Sequence, residues 1–146
     1  MTSLPDFNTA GDLPLGVHAA SLDEVIARFG TASAQRLQIA ARLRRVYTLA
    51  KGTGQLARFI IFGSFVTNKP VPNDVDIFML MEDTFDAGQL ARETAILFDH
   101  LAAQNYFGAS VFWVRRLAAL GGEAATIEYW QIKRGGERRG IVEVLT

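Results

Sequence analysis

Cysteine is absent from the 146 residues of the sequence. A disulfide framework, a thiolate metal site and a cysteine nucleophile are therefore excluded. An excess of charge of one sign is also absent, because 15 basic and 15 acidic residues cancel. Binding to duplex DNA depends on a positive surface that neutralises the phosphates, so we expect no duplex DNA partner.

Long hydrophobic runs are missing as well. No stretch approaches the run of about 18 apolar residues that a membrane span requires. Residues 1–16, MTSLPDFNTAGDLPLG, have neither the basic start nor the apolar centre of a secretory signal. These absences predict a cytoplasmic protein with no membrane partner, in keeping with the lack of cysteine.

What the sequence does contain is typical of a globular domain. Hydrophobic residues make up 49% of the chain and charged residues 21%, which is enough apolar material for a core. Prolines and glycines within residues 1–20 predict an extended N-terminal arm. Residues 21–146 combine helical and strand patterns, which predicts one α/β (α+β) domain with helices flanking a mixed sheet.

Capping signals and apolar periodicity locate the helices. Ser21 begins a stretch with the spacing of a capping box, and Gly30 is expected to end the helix that follows. A second helix is predicted after Thr31 or Ser33, as far as about Lys51. A third is predicted over 84–108, where apolar residues recur at helical spacing.

The strands are predicted from short apolar runs. Residues 59–62 have the continuous apolar composition of a strand covered on both faces, and residues 75–81 and 110–114 are predicted to be the second and third strands. Residues 127–134 and 138–145 flank two adjacent glycines, a pair typical of a tight turn. We therefore expect these last two runs to form a C-terminal β-hairpin.

The ends of two predicted strands carry the residues with the most chemistry. Gly63 and Ser64 follow the first buried run, where a glycine turn and a hydroxyl suit close approach of a phosphate. Asp74 and Asp76 open the second run, and their spacing of two places both carboxylates on one face. Mg²⁺ binds through a few carboxylates, water and phosphate oxygens, so this pair predicts a magnesium-nucleotide site. On the alternative interpretation, Asp74 belongs to a turn and Asp76 faces solvent.

The motif resembles the signature of the DNA polymerase β-like nucleotidyltransferase superfamily. That superfamily includes the minimal nucleotidyltransferases of toxin–antitoxin pairs. The segments LPLGVH, SLDEVIARFG, GSFVTNKPVPNDVDIF and IEYWQIKRGGERRGIVEV extend the likeness over nearly the whole chain, to a small bacterial family within the superfamily. The resemblance implies that Asp74 and Asp76 are catalytic ligands of Mg²⁺ (or Mn²⁺), while Gly63 and Ser64 bind phosphate. It further implies transfer of a nucleoside monophosphate from a nucleoside triphosphate to a hydroxyl of a protein, an RNA or a small molecule.

One position departs from this resemblance. Active members add a third carboxylate from a later strand, and the corresponding place here is held by Ser110. Glu128, in the first run of the predicted hairpin, is the other candidate, although pairing with a basic neighbour is an alternative role for it. Lys69, between the two motifs, is either a phosphate contact or a solvated loop lysine.

Two alternatives to transfer follow from the missing carboxylate. The chain could be a nucleotide-binding or regulatory module, such as an antitoxin-like partner. It could also be a subunit whose site is completed by a carboxylate from another protein. We expect Trp113 and Trp130 to serve in packing rather than in stacking on a base.

Overall fold

The computed structural model describes residues 4–133 and 135–145, which fold around one five-stranded mixed sheet. The strands are β1 (Val17–Ala20), β2 (Leu56–Phe62), β3 (Val75–Met81), β4 (Ala109–Arg115) and β5 (Ile141–Val144). The helices are α1 (Leu22–Phe29), α2 (Ala34–Gly52), α3 (Arg92–Leu97), α4 (His100–Phe107) and α5 (Glu123–Tyr129). Short 3₁₀ turns occupy Ser64–Val66, Ala87–Gln89 and Arg116–Ala118.

The strand order β1-β5-β2-β3-β4 places the two motif strands side by side. β2 pairs antiparallel with both β3 and β5, whereas β3 pairs parallel with β4 and β1 pairs parallel with β5. The predicted class, a mixed sheet flanked by helices, is confirmed. β1 lies within the region expected to be an extended N-terminal arm, and residues 1–3 of that arm are outside the described residues.

The helix starts agree with the capping signals. Ser21 accepts from the Glu24 amide and the Glu24 carboxylate accepts from the Ser21 amide, so both halves of the capping box are present. Of the two candidate caps for α2, Ser33 is the one that accepts from the first turn, at the Arg36 amide. These bonds satisfy amides that have no partner inside the helix.

The sheet is covered unequally on its two faces. One face, with Ile61, Ile77 and Val111, joins apolar residues of α1 to α4 in the main core. On the opposite face, Ile60 and Phe78 pack in a smaller cluster with Ile127 of α5, Ala119 and Trp130. The smaller layer covers only part of this face, and Asp76 and Ser110, the second residues of β3 and β4, are only partly buried there.

The predicted C-terminal hairpin is wrong in its extent. Its first run contains α5 up to Tyr129, while β5 pairs inside the main sheet. A single antiparallel bridge, Ile132 with Arg138, is what the described residues retain of it, and Arg134 lies outside them. Ile127 and Tyr129, separated by the polar Glu128, have the alternating sequence of a strand, but Ile127 is buried and Tyr129 is 62% exposed, so the two lie on different sides of the helix.

The third predicted helix is interrupted. Within 84–108 the chain forms the 3₁₀ turn Ala87–Gln89, then α3, then α4. The Asp99 side chain caps α4 by accepting from the Ala102 amide, so the break has its own local start signal. Gly108 ends α4 in the left-handed conformation that glycine permits, as its position predicted.

Candidate functional site

The turn after β2 is shaped by a glycine. Gly63 has a φ of 79°, and a Cβ built on it would overlap the Asp76 carboxylate. Phe62 and Asp76 are register partners, so the end of β2 lies beside the start of β3. Ser64 then begins a 3₁₀ turn at the same edge. Glycine is needed here both for its dihedral angles and for the space the aspartate takes.

The position predicted for a third carboxylate lies beside the aspartate pair. Asp76 and Ser110 are register partners in the parallel β3–β4 pair. Ser110 Oγ donates a hydrogen bond to Asp74 Oδ2 over 3.0 Å. The described geometry therefore brings Asp74, Asp76 and Ser110 together, with a hydroxyl in the third place.

A cleft of about 740 Å³ opens above these residues. Its lining includes the predicted site residues Ser64, Lys69, Asp74, Asp76 and Ser110. Gly63 lines an adjoining cleft of about 410 Å³ that shares Asp76 and Ser110 with the first. The candidate residues that were far apart in sequence thus lie around one recess.

Glu128 lies outside this recess. It belongs to α5, not to a strand, and its carboxylate lies 3.6 Å from Arg138 Nη1 on the surface. Of the two candidates for the third position, Ser110 is therefore the one that lies beside the aspartate pair, where its hydroxyl contacts Asp74. The geometry of Glu128 fits its alternative role, pairing with a basic residue.

A buried arginine that periodicity did not single out holds the loop between the two motifs. Arg36 is 4% exposed, and burial lowers the pKa of its guanidinium. Nη1 donates to the carbonyls of Phe29 and Phe65, and Nη2 donates to those of Thr67 and Lys69, over 2.6–2.9 Å. Charge-assisted bonds to four carbonyls fix the path of the loop that carries Lys69.

Both ends of the chain contribute to the rim of the cleft. Asp12, 5% exposed, lies 2.7 Å from Lys133 Nζ and 3.6 Å from Arg139 Nη1. All three line the larger cleft. Sequence reading placed none of them in the site, because residues 12, 133 and 139 come together only through the pairing of β1 with β5. The rim thus presents two cations with one buried counter-ion.

The residues present suit a magnesium ion that arrives with a phosphate ligand. Within residues 4–133 and 135–145, no three His, Asp or Glu side chains are grouped so that they could hold a metal alone. Mg²⁺ is usually bound by one or two carboxylates plus substrate phosphates, not by a complete protein cage. Asp74 and Asp76 fit that lesser requirement, because both line the same cleft.

The fold and cleft define a mixed α/β protein with a pair of aspartates at the start of its inner strand β3. The chain belongs to a family of unknown function (DUF6932), whose model matches residues 5–145. No curated protein and no solved structure matches the sequence. No helix among the described residues has the length and apolar character needed to cross a membrane.

Proposed function

We propose that the cleft binds a nucleoside triphosphate with Mg²⁺ (or Mn²⁺) and that the protein transfers the nucleoside monophosphate to an acceptor hydroxyl. The observation that carries the proposal is the convergence of Ser64, Asp74 and Asp76 on one cleft. The resemblance of these residues to the DNA polymerase β-like nucleotidyltransferases supports it. A cytoplasmic location, where both nucleotide and acceptor would be available, is part of the same proposal.

Each residue has a distinct part in this proposal. Asp74 and Asp76 would hold the ion, which supplies positive charge to the phosphates when bound. The Gly63–Ser64 turn offers backbone and hydroxyl donors to phosphate oxygens. Lys69 adds a cation whose loop is already fixed by Arg36, so little ordering of the loop backbone is needed on binding.

The acceptor would meet a site with weak proton-accepting power. β4 contains no acidic residue, and the Ser110 hydroxyl is engaged with Asp74. A protein, an RNA or a small molecule could supply the hydroxyl. Without a third carboxylate to take its proton, transfer is expected to be slow.

The presence of serine, not a carboxylate, at position 110 favours a second candidate function. With Ser110 in the third position, the cleft could bind a nucleotide without transferring it, as a regulatory or antitoxin-like module. It could also be completed by a carboxylate from a partner protein. Slow transfer by the isolated chain, accelerated by cell extract, is the result expected of a partner-completed site.

Calorimetry of nucleotide binding tests the shared first step. Each nucleoside triphosphate is titrated into the protein with Mg²⁺, with Mn²⁺ and with chelator. Asp76→Asn is expected to weaken metal-dependent binding about tenfold or more, because one anionic ligand is lost. The matched control is Glu128→Gln, an acid on α5 outside the cleft, which should bind like the unmodified protein. Absence of any metal-dependent binding in the unmodified protein would end the proposal.

Labelled triphosphates then separate transfer from binding. The protein is incubated with each labelled nucleotide, alone and with cell extract, and label is sought on protein and RNA. Label that depends on Asp74 and Asp76 supports transfer. Binding with no label under either condition supports the regulatory module instead.

A further inference from the structure

The open face of the sheet carries two adjacent rows of side chains. In the first row, Phe62, Asp76 and Ser110 are register partners across β2, β3 and β4. In the second row, Ile60, Phe78 and Phe112 are partners in the same way. Residues two apart on a strand are about 7 Å apart on one face. The polar side chains of Asp76 and Ser110 therefore lie directly beside the aromatic side chains of Phe78 and Phe112.

The smaller cleft connects these rows. It is lined by the aromatic side chains of Phe62, His100, Phe112 and Trp130. It shares Asp76, Gln104, Ser110, Lys133 and Arg139 with the larger cleft. The two clefts thus form one recess, with carboxylates and cations at one end and aromatic rings at the other.

The rings lining this aromatic end are tilted relative to one another, with none of these pairs edge to face. Trp130 lies 4.5 Å from Phe62 and 5.1 Å from Phe112, with planes inclined by 34° and 36°. His100 lies 4.6 Å from Phe112 at 34°. By contrast, Trp113, on the other face, meets Phe85 and Phe98 at 87°. We call this group of tilted rings the shelf; Phe112, 36% exposed within it, offers an aromatic surface on which another flat ring can pack.

Polar groups accompany the shelf. His100 Nδ1 lies 3.0 Å from the Val111 carbonyl, an acceptor, so Nδ1 carries a proton and Nε2 is the ring nitrogen that this bond does not use. The Gln104 amide, which can both donate and accept, lines both clefts. Hydrogen-bonding groups beside a stacking surface are what recognition of a heteroaromatic ring requires.

The contrast between the two tryptophans points the same way. Trp113 Nε1 donates to the Phe98 carbonyl over 2.9 Å, as buried indoles usually do. Trp130 Nε1 is buried without a hydrogen-bond partner among the described residues. The Trp130 ring is therefore held by packing against Phe62, Phe78 and Phe112 and not by an indole hydrogen bond.

From these observations we infer that the recess binds a nucleobase, stacked on the shelf of Phe112 and Trp130, which gives Trp130 a role beyond the packing expected from the sequence. The sugar and phosphates extend past Ser110 toward Asp74 and Asp76. The placement of the phosphates rests on the proposed function, whereas the stacking of the base does not. The ligand class is thus a nucleotide whose base contributes to its affinity.

Fluorescence of Trp130 tests the stacking directly. The chain has two tryptophans, so Trp113→Phe leaves Trp130 as the single reporter. Adenosine and Mg²⁺–ATP should each quench it, and Mg²⁺–tripolyphosphate, which has no base, should not. Adenosine that binds without changing this fluorescence, or does not bind at all, would overturn the inference.

Substitution of Phe112 tests how much stacking of the base contributes to the affinity. Stacking on an aromatic side chain contributes enough that Phe112→Ala should weaken Mg²⁺–ATP about tenfold. Its affinity for Mg²⁺–tripolyphosphate should stay unchanged. Phe112→Leu keeps most of the apolar volume and should show the same selective loss, which separates stacking from a folding defect. Tyr106→Ala, an exposed aromatic of α4 outside the recess, is the control. Equal losses for both ligands, or none, would contradict the inference.

Two further measurements distinguish failure of the proposed function from failure of the base site. If Asp76→Asn leaves Mg²⁺–tripolyphosphate binding unchanged while adenosine still quenches Trp130, the proposed function fails and the base site stands. A short single-stranded oligonucleotide without a triphosphate provides the second measurement. Quenching by the oligonucleotide that Mg²⁺–ATP cannot displace would assign the shelf to an acceptor strand and overturn its assignment to the nucleotide.

Discussion

Ser110 Oγ donates a hydrogen bond to Asp74 Oδ2 over 3.0 Å, although the two residues are 36 positions apart. The contact joins β4 to the residue just before β3, within the cleft that Asp76 also lines. A serine in this position satisfies one acceptor of Asp74 without adding charge. An aspartate there would instead form a third carboxylate, and this difference can be tested by substitution.

Ser110→Asp is expected to raise the rate of nucleotidyl transfer. A carboxylate near the acceptor hydroxyl adds general-base help, which is worth about 10²–10⁴-fold. The measurement is single-turnover transfer at equal nucleotide saturation. Ser110→Asn, close in size but uncharged, is the control and should gain nothing. If the unmodified protein transfers rapidly and Ser110→Asp leaves that rate unchanged, position 110 is not the place of the third carboxylate.

Gly63→Ala is expected to destabilise the fold by about 2 kcal/mol or more. Gly63 has φ 79° and ψ −167°, a region occupied almost solely by glycine that costs other residues about 1–3 kcal/mol, and the new methyl group would meet the Asp76 carboxylate. The control is Gly52→Ala at the end of α2, where no atom lies within 4 Å of the added Cβ. Urea unfolding of both variants measures the difference. Equal stabilities for the two would mean that the turn rearranges without cost.

Arg36→Met is expected to lower the free energy of unfolding by about 3 kcal/mol, because the substitution leaves four carbonyls without their hydrogen-bond donor. Hydrogen exchange should also quicken at the Lys69 amide, which bonds to Thr67 Oγ1. Arg44→Met removes an exposed ion pair with Asp23 and should change stability by less than about 1 kcal/mol. Unchanged exchange at Lys69 would contradict a fixing role for Arg36.

Two carboxylates on one ammonium offer a matched comparison. Lys133 Nζ lies 2.7 Å from Asp12, which is 8% exposed in its side chain, and 3.8 Å from Glu137, which is 77% exposed. Asp12→Asn is expected to lower the free energy of unfolding by about 2 kcal/mol. Glu137→Gln should change it by less than about 0.5 kcal/mol. Thermal unfolding at constant salt measures both, and equal effects would mean that burial of Asp12 adds nothing.

Features with a local cause were predictable from the sequence. The bounds of β3 follow from its apolar run, and α1 starts where the Ser21 capping box placed it. The convergence of Asp74 and Asp76 on one cleft with Ser64 also follows, because both motifs were assigned to ends of buried strands. Short-range patterns suffice for such elements.

Features with a distant cause were not predictable. Arg36 has the sequence context of an exposed helix position, and only the loop that folds over it makes it buried. α5 was missed because Ile127, Glu128 and Tyr129 alternate between apolar and polar residues as a strand does. The rim residues Asp12, Lys133 and Arg139 are joined by ion pairs across more than a hundred positions. No local pattern signals a contact at that separation.

The order of strands in the sheet sets an order of events during synthesis. β1 has one neighbour in the sheet, β5, so residues 17–20 leave the ribosome long before their partner strand exists. Asp12 likewise cannot meet Lys133 and Arg139 until those residues have been translated. The central pairing of β2 with β3 needs neither. A nascent chain could therefore assemble its acidic pair first, while the charged rim of the cleft, and any affinity that depends on it, would appear only once residue 144 has emerged.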